Sequence, residues 1–139
     1  MPMLNPDWTL DKLHERQRGT LPGHFGIVFT ELAEGRLAAT MAVQPWMLAP
    51  NGFLHAASVI ALADTAAGYG CFAHLPAGAK GFTTIELKSN FLGTVREGTI
   101  HCATVAEHIG RGTQVWASTV SSPDGRTMAL FRCTQMVLR

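Results

Sequence analysis

Residues 54–73 run LHAASVIALADTAAGYGCFA, rich in alanine, poor in β-branched side chains and free of proline. Alanine favours the helix more than any other residue and proline would break it, so the run predicts one long helix. Its surface is apolar nearly all the way round, which belongs to a helix covered on several sides. Its alanines and glycines let a sheet or a second helix come close. A chain of 139 residues has room for one real core, and the rest of it must wrap this helix. One residue does not fit. Asp64 puts a carboxylate among apolar neighbours, where lost hydration costs several kcal/mol unless something compensates.

Ahead of this run, Asp7 or Thr9 is placed to cap a short helix over about 8–18, ended by Gly19. LPGHF, with His24, reads as a loop. GIVFTELAEG and RLAATMAVQ read as two strands around a turn at Glu34-Gly35. Leu37, Ala39, Met41 and Val43 alternate there with Arg36, Ala38, Thr40 and Ala42. After the connecting loop HLPAGAKG come four more strands: FTTIELKSNF, GTIHCATVAEHIG, TQVWASTVSS and RTMALFRCTQMVL. Short glycine-containing or Pro-Asp-Gly turns join them, as in antiparallel hairpins. An antiparallel sheet wrapped around a single helix, an α+β arrangement, satisfies that order with one core. No repeat, linker or composition shift divides residues 1–139, so one domain is expected, with 1–20 as a helical extension.

Hydrophobic residues make up 47% of the chain and charged residues 15%, the balance of a folded globular protein. A net charge of +1 without a lysine or arginine block gives no support to nucleic acid or an anionic membrane as partner. The three cysteines, Cys71, Cys102 and Cys133, are widely spaced and lack CxxC or Cys/His ligand spacing. Each is expected as a small core residue, with no disulfide framework and no metal site. The N-terminal segment has no apolar signal core, and AASVIALA at 56–63 is too short to span a bilayer. The simplest address is the cytoplasm.

Several residues can carry chemistry. His55, Ala56 and Ala57 open the helix, where the first N–H groups lack helical partners and the dipole is positive. Such an end stabilises an oxyanion on a carbonyl under attack, and small side chains keep it open. On local sequence alone, plain capping by Asn51 or a neighbour is the stronger reading. Asp64 follows His55 by nine residues, about 13 Å along a helix axis. One subunit cannot bring both to one reacting carbonyl, whereas two helices antiparallel across a dimer interface can. The bland alternative is a buried acid bonded to Thr65 or Tyr69.

On the next strand, period-2 alternation puts Thr84, Glu86, Lys88 and Asn90 on one face and Ile85, Leu87 and Phe91 on the other. Thr84 can orient a water or bond the carboxylate, or be simply a strand-favouring threonine. Arg111, Arg96, Lys88 and Arg132 are candidates to meet an anionic group. Phe53, Trp46, Tyr69 and Phe82 are candidates for an aromatic pocket, though such residues more often pack. No GxSxG elbow or phosphate loop is present.

GFLHAASVIALADTAAG resembles the Gly-x-x-His-Gly-Gly…Asp segment of hot-dog-fold acyl-CoA thioesterases of the phenylacetic-acid-degradation (PaaI-like) type. TTIELKSNFLGTVREG is similar to that family's post-helix strand and Arg-x-Gly turn, and HIGRGTQVWASTVSSPDGRTMAL to its closing hairpin. The resemblance implies a hot-dog fold and acyl-CoA hydrolysis, with coenzyme A present only as part of the substrate. It makes Asp64 the carboxylate that activates water or attacks the thioester, and the Ala56 N–H the group that polarises the carbonyl. His55 stands at the helix entrance and Thr84 helps hold the water. Asn51, Gly52 and Arg111 fall on substrate contacts. A homodimer is the implied minimal unit, commonly doubled to a homotetramer, with coenzyme A along the subunit interface.

Two departures stand out. The usual Gly-Gly pair is Ala56-Ala57, and Ala49 occupies the place of an asparagine six residues before the histidine, with Asn51 two residues later. They leave a non-catalytic acyl-CoA-binding protein on the same fold as the alternative. A hot-dog dehydratase is disfavoured, because Gly26 rather than proline follows His24-Phe25.

Overall fold

The alanine-rich run forms helix α3 (Ala56–Ala73), and a six-stranded antiparallel sheet curls around it. The structure, a computed structural model, describes residues 3–139. Ahead of α3 come α1 (Leu10–Arg16), α2 (Leu21–His24), β1 (Val28–Ala33), β2 (Arg36–Ala42) and a 3-10 turn at Pro45–Met47. After it come β3 (Gly81–Phe91), β4 (Thr99–Ile109), β5 (Thr113–Ser121) and β6 (Thr127–Leu138). This is the hot-dog arrangement expected from the resemblance.

Local chemistry sets the boundaries. Thr9, not Asp7, caps α1, its hydroxyl accepting from the Lys12 N–H at 3.2 Å. The expected loop at LPGHF is instead the single-turn α2, with Pro22 in its first turn, where a missing N–H costs nothing. Leu37, Ala39 and Met41 are at most 1% exposed, so the alternation along β2 does face the core.

The hairpin reading is corrected in one place. The sheet order is β1-β2-β4-β5-β6-β3, so β3 and β4 are not neighbours. β2 already offers a free edge, which β4 takes from Arg36↔Val105 to Ala42↔Thr99, and β3 closes on β6 instead. The chain between β3 and β4 therefore crosses from the sheet edge to its middle. β3 is left as an edge strand beside α3.

Length is also read differently. All eighteen residues of α3 are apolar enough together to cross a membrane, which the shorter run at 56–63 is not. Here the sheet covers that helix instead. Leu62, Ala63, Ala66, Ala67 and Cys71 are at most 1% exposed, and all three cysteines are buried and free.

Close packing depends on Gly70. A Cβ there would stand 2.8 Å from Cζ3 of Trp116, a fully buried ring that cannot retreat. Gly70→Ala gains about 1 kcal/mol of helix propensity but overpacks the core at a cost of about 1–3 kcal/mol, so a net loss of up to about 2 kcal/mol is expected in urea unfolding.

Two buried polar groups tie α3 to the sheet. Ser118 donates to the Ala63 carbonyl at 3.1 Å, which leaves it to accept from Thr104 at 2.8 Å; Thr104 in turn accepts from Cys102 at 3.4 Å. At the far end, fully buried His74 accepts the Gly35 N–H on Nε2 at 2.9 Å, so its proton is on Nδ1, 2.7 Å from the Gly70 carbonyl. Burial lowers its pKa, against weaker opposing pulls from the Gly70 carbonyl and Glu34. The unfolded chain therefore binds this proton more readily than the folded one. Stability from this group is complete above about pH 6.5 and is lost as pH falls below it. Urea unfolding of wild type should weaken between pH 7.5 and 5.5, and a His74→Asn variant, less stable throughout, should weaken less.

Candidate active site

The segment leading into α3 is folded on itself. Leu48 and Leu54 form an antiparallel bridge, and the Ala49 N–H donates to the Phe53 carbonyl at 2.7 Å. Asn51 Oδ1 accepts from the Phe53 N–H at 3.1 Å, so its acceptor is turned into its own loop. Gly52 has φ +87°, a conformation that L side chains rarely adopt, and a Cβ there would lie 3.0 Å from the Arg96 guanidinium. Arg96 itself lies 4.0 Å above the Phe53 ring.

His55 is the N-cap of α3. Its Nδ1 accepts from the Ala57 N–H at 2.9 Å, so the neutral ring carries its proton on Nε2. Ser58 N–H is used by the His55 carbonyl at 2.9 Å. The Ala56 N–H has no protein acceptor among the described residues, and Ala56 is exposed. Capping by Asn51 is thus not what the structure shows. The histidine caps the helix and leaves the first helical N–H unclaimed at its positive end.

Asp64 is half-buried in mid-helix, and its Oδ1 is buried without a hydrogen-bond partner among the described residues. The Tyr69 hydroxyl is turned to Gln17 at 3.4 Å, so the bland explanation of Asp64 has no support there. Burial pushes the carboxyl above its ordinary value. A carboxylate in that condition is a stronger base than an exposed one. Cys133 lies close enough to feel its charge. Burial first, and Asp64 second, push that thiol up to about 12, so it stays protonated.

Thr84 is placed by a bulge that simple alternation does not reveal. The β3–β6 register shifts between Thr84 and Glu86, so Thr84 pairs with buried Gln135 and Leu87 with buried Cys133. Glu86 and Lys88 pair with Thr134 and Arg132 on the opposite face of the sheet. The expectation that Thr84, Glu86, Lys88 and Asn90 share a face is therefore corrected, since the extra residue flips the phase. Thr84 faces α3, and its hydroxyl donates to Gln135 Oε1 at 2.7 Å. Ser89, missed in the sequence, pairs with Phe131 on this inner face, and its buried Oγ has no partner among the described residues.

The other candidates lie apart. Arg111 is in the β4–β5 turn beside the Arg139 side chain, which donates to its carbonyl at 2.9 Å. That turn leads to Gln114, bonded to the His74 carbonyl at 3.0 Å, so Arg111 stands at the opposite end of α3 from Ala56. Lys88 and Arg132 line a groove of about 530 Å³ on the sheet face away from α3, where Arg132 pairs with Glu107 at 3.2 Å. The four aromatic candidates do not share a pocket. Trp46 stacks on His24 at 4.7 Å, Tyr69 on Phe29 at 5.0 Å, and Phe82 packs near Phe72 at 6.4 Å. No group of three or more His, Cys, Asp or Glu among the described residues is arranged to hold a metal.

Residues 51–129, from the loop before α3 into β6, match the sequence profile of the thioesterase superfamily. The chain belongs to that family. This thioesterase is 29% identical over 133 residues to the 1,4-dihydroxy-2-naphthoyl-CoA hydrolase of Escherichia coli, covering 94% of this chain and 95% of that one. Its fold matches a Q49A variant of a Pseudomonas aeruginosa thioesterase with TM-score 0.91, at 26% identity and 97% coverage of both chains. The PaaI protein from the E. coli phenylacetic acid degradation operon shares the fold at TM-score 0.80 and 22% identity, over 94% of this chain and 97% of that one. As a member of this family the thioesterase is a hydrolase of thioesters.

Proposed function

We propose that this thioesterase hydrolyses acyl-CoA or aryl-CoA thioesters to the free acid and coenzyme A, at a site shared between two copies of the chain. The observation that carries this reading is the unpartnered, buried Oδ1 of Asp64, a carboxylate kept without a structural use. The E. coli relative is named as a CoA-thioester hydrolase, which supports the substrate class.

In this reading the thioester oxygen rests at the partner subunit's Ala56 N–H, with the partner subunit's His55 Nε2–H alongside. Asp64 takes a proton from water as the new O–C bond forms, or bonds the carbonyl carbon itself. The oxyanion is held by the helix start, the C–S bond breaks, and coenzyme A leaves. Ala56 and Asp64 are eight residues apart on one helix, about 12 Å, so a second chain supplies one of them.

The free edge of β3 supports such a pairing. Ile85, Leu87 and Phe91 along it are 52%, 40% and 45% exposed, and an unpaired apolar edge is a template for another strand. Asn51 and Gly52 border the entrance, and Arg111 can reach coenzyme A only in an assembled form. A homodimer is the minimal unit, two of them making a homotetramer, working in the cytoplasm without a cofactor beyond the coenzyme A of the substrate.

Purified protein incubated with aliphatic and aryl-CoA thioesters, with released thiol measured, tests this. Turnover of at least one class by a dimer or larger assembly is expected. A chain that is monomeric while fully active would overturn the shared site.

A further inference from the structure

We propose that Gln135 is a positioning residue that holds the Thr84 hydroxyl as a pure acceptor, so that Asp64 acts as a base on water rather than as a nucleophile. The inference rests on the roles given above to Asp64 and Thr84, and deepens them.

Gln135 is fully buried on the helix-facing side of β6, where an amide is costly unless it is bonded. Its neighbour across the β5–β6 ladder, Gln114, has a structural use: it holds the His74 carbonyl and the Trp116 indole N–H. Gln135 makes neither kind of anchor. Its Oε1 accepts from Thr84 at 2.7 Å and its Nε2 donates to Cys133 Sγ at 3.3 Å. Held at both ends, the amide cannot swing.

A threonine hydroxyl has one proton, and here it is spent on Gln135. Only lone pairs remain on the Thr84 Oγ1 for anything else. The Asp64 carboxylate likewise offers only acceptors, and its Oδ1 is not claimed by Thr84. Water suits two acceptors. It places one O–H on Thr84 and the other on Asp64, and keeps a lone pair for the carbonyl carbon. As the O–C bond forms, the second proton passes to Asp64 and the carbonyl electrons move onto oxygen. Collapse restores the C=O, breaks the C–S bond, and the sulfur takes the proton back from Asp64. Without Gln135, the Thr84 hydroxyl is free to donate to Asp64, which would lower the basicity of that carboxylate and displace the water.

The test uses the whole chain and any CoA thioester it hydrolyses. Gln135→Met keeps the volume and removes the acceptor, and Thr84→Val removes the hydroxyl. Each is expected to lower kcat about tenfold to a hundredfold with KM little changed, and the double variant should be no worse than the poorer single one. The acid limb of the pH–rate profile should move to lower pH in Gln135→Met and not in Thr84→Val, a difference that loosened packing does not produce. Thr84→Ser should recover most of the rate lost in Thr84→Val.

Wild-type kcat in folded Gln135→Met, or an unmoved acid limb, overturns the proposal. If Gln135→Met fails to fold, the threonine pair decides: Thr84→Ser as slow as Thr84→Val also overturns it. Asp64→Asn run in parallel separates the two levels. An active Asp64→Asn refutes the wider reading, while an inactive one beside fully active Gln135 and Thr84 variants refutes this inference alone.

Discussion

Asp64→Asn is expected to lower kcat/KM for CoA-thioester hydrolysis by about a hundredfold or more, and to raise the melting temperature at neutral pH. The first effect follows from losing the only carboxylate in α3, since a positioned base contributes about 10²–10⁴. The second follows from burial. The folded chain holds a proton on Asp64 more tightly than the unfolded chain, so its contribution to stability is complete only below the ordinary carboxylate pKa. That contribution is lost as pH rises through the higher folded value. Near pH 7, well above the ordinary carboxylate pKa, Asp64 therefore works against folding, and the neutral amide does not. Thermal unfolding should show a gap in favour of Asp64→Asn near pH 7 that narrows as the buffer approaches pH 4. A variant both inactive and less stable at neutral pH would instead make Asp64 a structural acid.

Restored activity in mixed dimers is the second large effect. Ala56→Pro deletes one N–H at a helical position where proline's fixed φ is tolerated. The preceding residue is suited to it, because His55 is already extended at φ −67°, ψ 139°. Loss of an oxyanion donor costs about 10²–10³ in kcat, so Ala56→Pro alone should be nearly inactive. Co-refolded with Asp64→Asn, it should recover about one quarter of wild-type activity. Random assembly makes half the dimers mixed, and in each of these a two-fold arrangement leaves one of two sites intact. Recovery no greater than the sum of the two separate variants would place carboxylate and donor in the same chain.

Much of this protein is legible from residue order. The α3 run declares itself through alanine content and missing proline, and β2 through alternation that burial follows closely. Asp64 is conspicuous because it offends an apolar surface. Less accessible is whatever depends on pairing across distance. The β3–β6 register and its bulge at Ile85 leave no local mark, so the facing of Thr84 reads wrongly, and Ser89 and Gln135 pass as ordinary strand residues. The crossover between β3 and β4 is hidden for a similar reason, since short glycine turns look alike whether or not the strands they join become neighbours. His55 as its own cap is a rotamer choice, which composition does not specify.

The thread from Cys102 through Thr104 and Ser118 ends on the carbonyl of Ala63, one residue before the carboxylate. Methyl groups on an alanine-coated rod grip much alike at many azimuths, so polar anchors and the close Gly70–Trp116 contact set its rotation. That oxygen acts as one key in the shaft, with His74 as the other at the far end. The compass bearing of Asp64 thus depends on buried hydroxyls on β4 and β5, and damage to them would mimic the loss of the carboxylate itself.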